Sequence, residues 1–410
     1  MRILIVVDCY LPCKKSSAKL VHDLAVEFHN QGHDVIITAP DDALTAPSQV
    51  TVEQGLTVLR IRTCPIKGAE RITRAINEIR LSSIIWKAGK AFFKSNRCDL
   101  IVLYAPSIFF ASLIKKLKKL WSCKAYLIQR DIFPQWAIDT GEMKEGLICR
   151  LFRLKERQHY AAADIIAVQS PENLKYFSEQ GLADKYNLEV LYNWTTVNEK
   201  KIIRRNDRQK LGLQDKVVFF YGGNIGVAQD MDNIVRLAEN MRERSNVHFL
   251  LVGDGSEVPR LKAMIKEKQM SNITIHPAVA QQEYLGMLSQ FDIGLISLDR
   301  QLKTHNFPGK MLGYMYFSMP ILACINPGND LKQLIEDSNA GLICLAGEHN
   351  RFCAYAERLA ADVDLRRKMG NNARTVLEKT FNVSRAVSQI LSHKDLYRSS
   401  SQNDSQQPVH

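Results

Sequence analysis

Short apolar runs alternate with segments of helical period along almost the whole chain, and few folds accept that rhythm. Residues 2–7 form an apolar run of strand length, after which Val21, Leu24, Ala25 and Phe28 recur at helical spacing. Ser16 or Ser17 is placed to cap that helix, Gly32 to end it with a positive φ, and 35–38 to form the next strand. This is one βαβ unit, for which parallel strands and a right-handed connection are expected. Strands at 56–61, 100–104, 124–128, 165–168 and 189–192 continue the pattern. Between them lie helical regions at 72–94, 107–120 and 147–162, and a short helix opened by Ser170 and Pro171. Runs so rich in Ile, Val and Leu indicate sheets covered on both faces.

Residues 196–210 are polar, charged and poor in sheet formers, and read as a passage between domains. The rhythm then restarts, with strands at 217–221, 248–252, 273–276, 293–297 and 321–323. Helices are expected near 229–244, 257–268, 282–290, 309–317, 330–337, 351–361 and 364–378. At 410 residues the chain is too long for one ordinary core. The expected organisation is therefore α/β, with two Rossmann-like, doubly wound parallel-sheet domains facing a cleft. These are 1–195 and 211–378, joined by a linker at 196–210. A helix at 379–397 is placed to return to the N-terminal domain, and the Ser/Gln-rich 398–410 reads as a disordered tail. In such sheets ligands sit at the carboxyl ends of the strands.

The formal net charge is +12. Part of the excess is clustered in Lys115, Lys116, Lys118, Lys119 and Lys124, and in Arg150, Arg153, Lys155 and Arg157. A solvated helix face, a lipid or pyrophosphate surface and nucleic acid all suit such a cluster. Aromatic residues are not interleaved with it, as they are on a single-strand stacking platform. Nine cysteines lie scattered, without a CxxC pair or a zinc spacing, which fits reduced thiols. The N-terminal apolar run is shorter than a signal-peptide core. The longest apolar segment, 100–114, contains Pro106 and falls short of a bilayer span. Contact with a membrane is therefore expected to be peripheral.

Glycine-rich turns carry the better chemical signal. Gly222-Gly223-Asn224 with Gly226 lies between a strand and a helix, and Gly253-Asp254-Gly255 repeats the arrangement one strand later. Such turns bring backbone N–H groups close to an anion, although each is also an ordinary way to reverse a chain. Next come His305-Asn306-Phe307-Pro308-Gly309-Lys310 and a helix through Met311, Leu312, Tyr314 and Met315, whose apolar residues read as core. Lys310, in the first helical turn, can meet a phosphate or stand solvated. Cations are disfavoured at that end unless an anion is supplied.

In the first half, strand 124–128 runs into Arg130-Asp131, where Asp131 can accept a proton or cap a loop. Asp8, with Lys14, Lys15 and Ser17 nearby, is a weaker candidate. No DxD pair stands at a strand end to hold a metal; Asp230 and Asp232 have the spacing but fall at a helix start. The dinucleotide glycine fingerprint, a Walker lysine and a nucleophile elbow are all missing, which counts against hydride transfer, ATP hydrolysis and ester hydrolysis.

Together these residues resemble the retaining glycosyltransferases of family 4, which have the GT-B fold. The resemblance runs from Met1 to about Leu391. It is carried by Tyr221-Gly222-Gly223-Asn224-Ile225-Gly226, by Leu251-Val252-Gly253-Asp254-Gly255, and most specifically by Phe307-Pro308-Gly309-Lys310-Met311-Leu312-Gly313-Tyr314-Met315. It implies a metal-independent enzyme without a resident cofactor. The C-terminal domain would bind the nucleotide sugar through Gly223, Asn224, Gly253, Asp254, Phe307, Pro308, Gly309 and Lys310, with Ser17 contributing from the other half. Asp131, Lys310 and His305 would carry the chemistry.

The segment Arg130-Asp131-Ile132-Phe133-Pro134-Gln135-Trp136-Ala137-Ile138-Asp139-Thr140-Gly141 is similar to bacterial O-antigen N-acetyl-L-fucosamine transferases. Their donor is UDP-N-acetyl-L-fucosamine, and their acceptor a saccharide on undecaprenyl diphosphate. That resemblance implies a cytoplasmic protein or one at the cytoplasmic face of the inner membrane, touching anionic lipid.

Two departures from the family stand out. The paired glutamates of family 4 align with His305 and Gly313, and its Arg/Lys pair falls near Asn224 and Gln229. Lys310 and backbone amides would then carry more of the diphosphate. An epimerase on the same fold, a silent sugar-binding subunit and a nucleic-acid-binding protein are the competing readings.

Overall fold

A computed structural model of the protein describes residues 1–13, 15–65, 71–105, 107–139, 141–197, 205–303 and 307–398, with the backbone alone at 71, 72, 74 and 75. The expected tail beyond Arg398 and the candidate His305 lie outside the described residues. The chain divides into two compact units, Met1–Thr196 with the chain from Val383 onward, and Val197–Asn382.

The first unit is built on β1 (Arg2–Val6), β2 (Asp34–Asp41), β3 (Ser48–Glu53), β4 (Leu56–Arg62), β5 (Leu100–Ala105), β6 (Lys124–Gln129), β7 (Ile165–Val168) and β8 (Leu188–Val190). Their order across the sheet is β3-β4-β2-β1-β5-β6-β7-β8. Every neighbouring pair is parallel except β3 with β4. The helices of this unit are α1 (Ser16–Asn30), α2 (Arg71–Ser95), α3 (Ala111–Trp121), α4 (Gln135–Asp139), α5 (Leu147–Tyr160) and α6 (Pro171–Glu179).

Successive strand residues face opposite sides of the sheet, so β1 feeds two cores. Ile3 and Ile5 pack with Val21, Leu24 and Phe28 of α1, while Leu4 and Val6 join Leu113 and Leu117 of α3.

The second unit has a six-stranded, all-parallel sheet in the order β11-β10-β9-β12-β13-β14. Its strands are β9 (Val217–Gly222), β10 (Val247–Val252), β11 (Ile273–His276), β12 (Ile293–Ser297), β13 (Ile321–Ile325) and β14 (Gly341–Leu345). Its helices are α7 (Asp207–Lys210), α8 (Met231–Asn240), α9 (Val258–Glu267), α10 (Gln281–Leu288), α11 (Lys310–Tyr316), α12 (Leu331–Ser338), α13 (His349–Ala361) and α14 (Val363–Thr380). Two closing helices, α15 (Val383–Ser392) and α16 (Lys394–Arg398), belong to the first unit. Val383, Ala386, Val387 and Ile390 share the core layer of α1, and the Gln389 amide donates to the Val190 carbonyl at 2.8 Å. Two parallel-sheet α/β units are thus present, as the alternation predicts.

Several local expectations differ from the structure. Strands β3 and β14 were not anticipated. Ser16 and Ser17 lie inside α1, whose cap is Lys15 with no side-chain hydrogen bond. Ser170 does precede α6, with Pro171 in the first turn, but its hydroxyl caps nothing and is buried without a partner. Helix α3 begins at Ala111 instead of 107. The second half of the expected linker is folded. Arg205 pairs with Glu283 at 2.9 Å and Arg208 with Asp292 at 2.5 Å, and Asp207 is buried, so 205–210 pack onto the second unit.

Candidate functional site

In the second sheet β10 and β11 lie on one side of β9, and β12, β13 and β14 on the other. The strand order reverses at β9, and parallel sheets bind ligands beyond the carboxyl ends of strands at such a point. The chain leaving β9 there is Gly222-Gly223-Asn224. Gly223 has φ +126°, which L side chains rarely adopt.

The two glycine turns interlock through backbone. Gly223 N–H donates to the Val252 carbonyl at 2.9 Å, Ile225 N–H to Asp254 at 2.9 Å and Glu257 N–H to Ile225 at 3.1 Å. A Cβ on Gly253 would overlap the Gly223 carbonyl, and one on Gly255 the Ile225 carbonyl. The glycines of the second turn therefore serve the fit of loop against loop. Gly223 cannot offer its N–H to an anion, because Val252 holds it. Asn224 is exposed and its N–H makes no hydrogen bond among the described residues. Its side chain donates to Gln229 at 3.0 Å.

Lys310 opens α11 beside this turn. Its Nζ stands 3.5 Å from the centroid of the Tyr221 ring, and a Cβ on Gly223 would lie 3.6 Å from its Cε. No carboxylate among the described residues pairs with it, and burial lowers its pKa to about 7. Among the described residues the Tyr221 ring supplies the negative face that the ammonium meets. Tyr221 is itself fixed, its hydroxyl donating to the Asn224 carbonyl at 2.6 Å. Tyr314, from the next turn of α11, accepts the Gly222 N–H at 3.1 Å and donates to the Leu295 carbonyl at 3.1 Å. This helix is thereby tied to the end of β9 and to β12.

The remaining candidates of this unit have plainer places. Phe307 is buried, with its ring edge-on to Phe381 at 6.0 Å. The Pro308 carbonyl accepts from Met311 at 3.0 Å. A Cβ on Gly309 would meet nothing within 4 Å, so space does not demand glycine there. Asp254 is exposed and takes part through its carbonyl. A Cβ on Gly313 would approach Leu288 Cδ1 at 3.1 Å, so that position looks toward the end of α10. Asp230 directly precedes α8, and Asp232 in its first turn pairs with Arg260 at 2.7 Å.

In the first unit Asp131 follows β6. Its packed surroundings raise its pKa; neighbouring Arg130 pulls it down, and Asp8 pushes it up. Ser17 lies in the first turn of α1, its Oγ 3.5 Å from Cys9 Sγ. Arg130 itself is buried between the rings of Trp194, 4.8 Å from the guanidinium carbon, and Tyr104, 5.4 Å away. Among the described residues its Nε and Nη2 have no hydrogen-bond partner. Gln169 donates to the Arg130 carbonyl at 2.5 Å, and Asn193 to Gln169 at 3.1 Å.

The roles of Tyr221, Tyr314 and this arginine cluster do not follow from the sequence pattern. Only Tyr221, an aromatic residue directly before a glycine pair, left a local trace. Among the described residues no group of three or more His, Cys, Asp or Glu is arranged to hold a metal. No helix among them is long and apolar enough to cross a membrane.

Two family descriptions cover most of the chain. Residues 17–194 match the glycosyl transferase 4-like domain, and residues 203–376 match the glycosyl transferases group 1. The glycosyltransferase WbjE of Pseudomonas aeruginosa, itself named provisionally, is 24% identical over 262 residues. That match spans 63% of this chain and 64% of WbjE, just under two thirds of its length. A second relative, WcaI of Escherichia coli (strain K12), carries the provisional name colanic acid biosynthesis glycosyl transferase. It is 23% identical over 413 residues, covering 95% of this chain and 99% of its own. The structure of Anabaena Alr3699/HepE, described in complex with UDP, superposes with a TM-score of 0.68 over 97% of this chain and 100% of that one, at 14% identity. The chain is a GT-B-fold glycosyltransferase related to the family 4 and group 1 sugar transferases.

Proposed function

We propose that the protein is a retaining, metal-independent glycosyltransferase that draws on a UDP-sugar, with N-acetyl-L-fucosamine as the sugar. The acceptor is a saccharide on undecaprenyl diphosphate, in O-antigen assembly at the cytoplasmic face of the inner membrane. The observation that carries this reading is Lys310, a cation that among the described residues has no carboxylate partner, held over Tyr221 beside an exposed turn whose Asn224 N–H makes no hydrogen bond among those residues. A diphosphate supplies the missing negative charge. The donor sugar rests on the likeness of 130–141 to fucosamine transferases. The choice of UDP is supported by the ligand of a GT-B neighbour, and a biosynthetic glycosyl transfer by the name of WcaI.

In the proposed reaction Lys310 and the Asn224 N–H stabilise the departing diphosphate as its charge grows. The base lies toward Gly253 and the 276–280 turn. The acceptor hydroxyl attacks from the face that the diphosphate leaves, and its proton passes to the leaving phosphate. No enzyme nucleophile is formed. Asp131 orients the acceptor from the first unit, and His305 addresses the donor sugar.

The test is incubation of the purified chain with UDP- and dTDP-sugars and a lipid-diphosphate N-acetylglucosamine acceptor, followed by product mass and anomeric coupling. Transfer by the wild type, lost in Lys310→Ala with thermal unfolding unchanged, supports the reading. An altered nucleotide sugar released without acceptor would make the protein an epimerase. Wild-type kinetics in Lys310→Ala would remove the assignment of the diphosphate site.

A further inference from the structure

Helix α5 presents an apolar stripe to solvent. Leu147 is 82% exposed, Ile148 69%, Leu151 45% and Leu154 52%, among the largest exposures of any big apolar side chain in the described residues. At 3.6 residues per turn the four fall within an arc of about 120°. The opposite side of the helix is the buried one, with Cys149, Glu156 and Tyr160. This helix therefore has two apolar faces, and the core uses only one.

The stripe is firmly held. Phe152 sets its ring edge-on to Phe133 at 5.1 Å and to Phe109 at 6.2 Å. Glu156, the only acid of α5, is buried; it accepts from Tyr176 at 2.6 Å and from Tyr160 at 3.1 Å, and pairs with Arg153 at 3.4 Å. The exposed charges of α5 are Arg150 and Arg157, and those of α3, against which it packs, are Lys115, Lys116 and Lys119. None of the exposed residues on these two helices is acidic.

We infer that α5 is an interfacial helix, which inserts Leu147, Ile148, Leu151 and Leu154 into an anionic bilayer surface while the adjoining arginines and lysines meet lipid phosphates. The charge decides the occupant. A second copy meeting this face would bring the same cations against it, whereas an anionic leaflet neutralises them and accepts the apolar side chains as well. The inference deepens the membrane contact proposed above and shares its premise of a lipid-borne acceptor. It differs in assigning the grip to apolar insertion as well as to charge.

The test measures co-sedimentation of the full chain with vesicles of phosphatidylglycerol and phosphatidylcholine in equal parts, and with phosphatidylcholine alone. The wild type should bind the anionic vesicles. Replacing all four stripe residues by serine should weaken binding about a hundredfold, from the apolar area lost. Arg150→Gln with Arg157→Gln should weaken it about tenfold and reduce its salt dependence. These side chains are exposed, and circular dichroism with thermal unfolding checks that each variant is folded. Transfer to a soluble, lipid-free acceptor should survive in the serine variant, so failure of the transferase reading and failure of this one remain distinct. Absence of vesicle binding by the wild type, equal binding by the serine variant, or a wild-type dimer that the serine variant dissociates would each overturn the inference.

Discussion

Both units place a cation over an aromatic ring near the carboxyl ends of their central strands, and the two cations have opposite fates. Lys310 stands over Tyr221 at the surface of a glycine turn, without a carboxylate partner among the described residues and with its proton affinity lowered. Arg130 is sealed between Trp194 and Tyr104, and two of its buried nitrogens have no hydrogen-bond partner among the described residues. Ring faces replace carboxylates in each case. The difference lies in access. A half-buried cation with an unfilled charge is poised for a ligand, whereas a fully enclosed one serves the packing of the strands around it. A ring beneath a cation therefore says little about function until the space above it is known.

This contrast should show most strongly in Lys310→Met. Loss of one preorganised charge should lower kcat/KM for sugar transfer by about a hundredfold to a thousandfold, with the melting temperature nearly unchanged. Arg130→Ala should do the reverse. The vacated space between Tyr104 and Trp194 should cost about 2 kcal/mol or more of unfolding free energy in urea titration, with transfer per folded molecule largely kept. If Arg130→Ala silenced transfer without loss of stability, the division between a ligand cation and a packing cation would fail.

The third effect is on pH. In the free protein Lys310 titrates near 7, below its usual 10.5, because burial disfavours the charged form. A bound diphosphate favours the charged form, so binding takes up a proton above pH 7. Donor affinity should then fall as pH rises past 7, approaching tenfold per unit, until the pKa of the complex is reached. Isothermal titration with UDP would show this slope, and Lys310→Met should abolish it. The smallest change is expected for Asp131→Asn. An orienting carboxylate should cost about tenfold or less in kcat/KM, and chiefly in the acceptor KM, a split that initial rates resolve.

The sheets were legible because their strands are covered on both faces and so read as unbroken apolar runs. Strand β3 escaped for the opposite reason. It lies at the edge, with Gln49, Val50 and Val52 exposed, and carries no such run. Strand β14, Gly341-Leu342-Ile343-Cys344-Leu345, is an apolar run as long as β12 and β13, so nothing physical hides it. At the site, Lys310 was legible through its place after Pro308-Gly309. Its electrostatic setting was not, since Tyr221 precedes it by 89 positions and only folding joins them. Separation along the chain likewise hid the Arg130 cluster, which draws on Tyr104, Gln169 and Trp194 from separate strand ends. The glycines of 253–255 illustrate a further limit. A sequence shows that a side chain is missing, but not whether a ligand or another loop fills the space.

The return of α15 to the first unit has a consequence for the birth of the chain. Because Val383, Val387 and Ile390 complete a core layer begun by Ile3, Val21 and Phe28, the second unit is in effect an insertion within the first. During synthesis from the N-terminus the second unit can fold as soon as it emerges, whereas the first must wait with part of one sheet face uncovered. The half that starts first thus finishes last, and for most of translation its α1 layer is a surface for chaperones to guard.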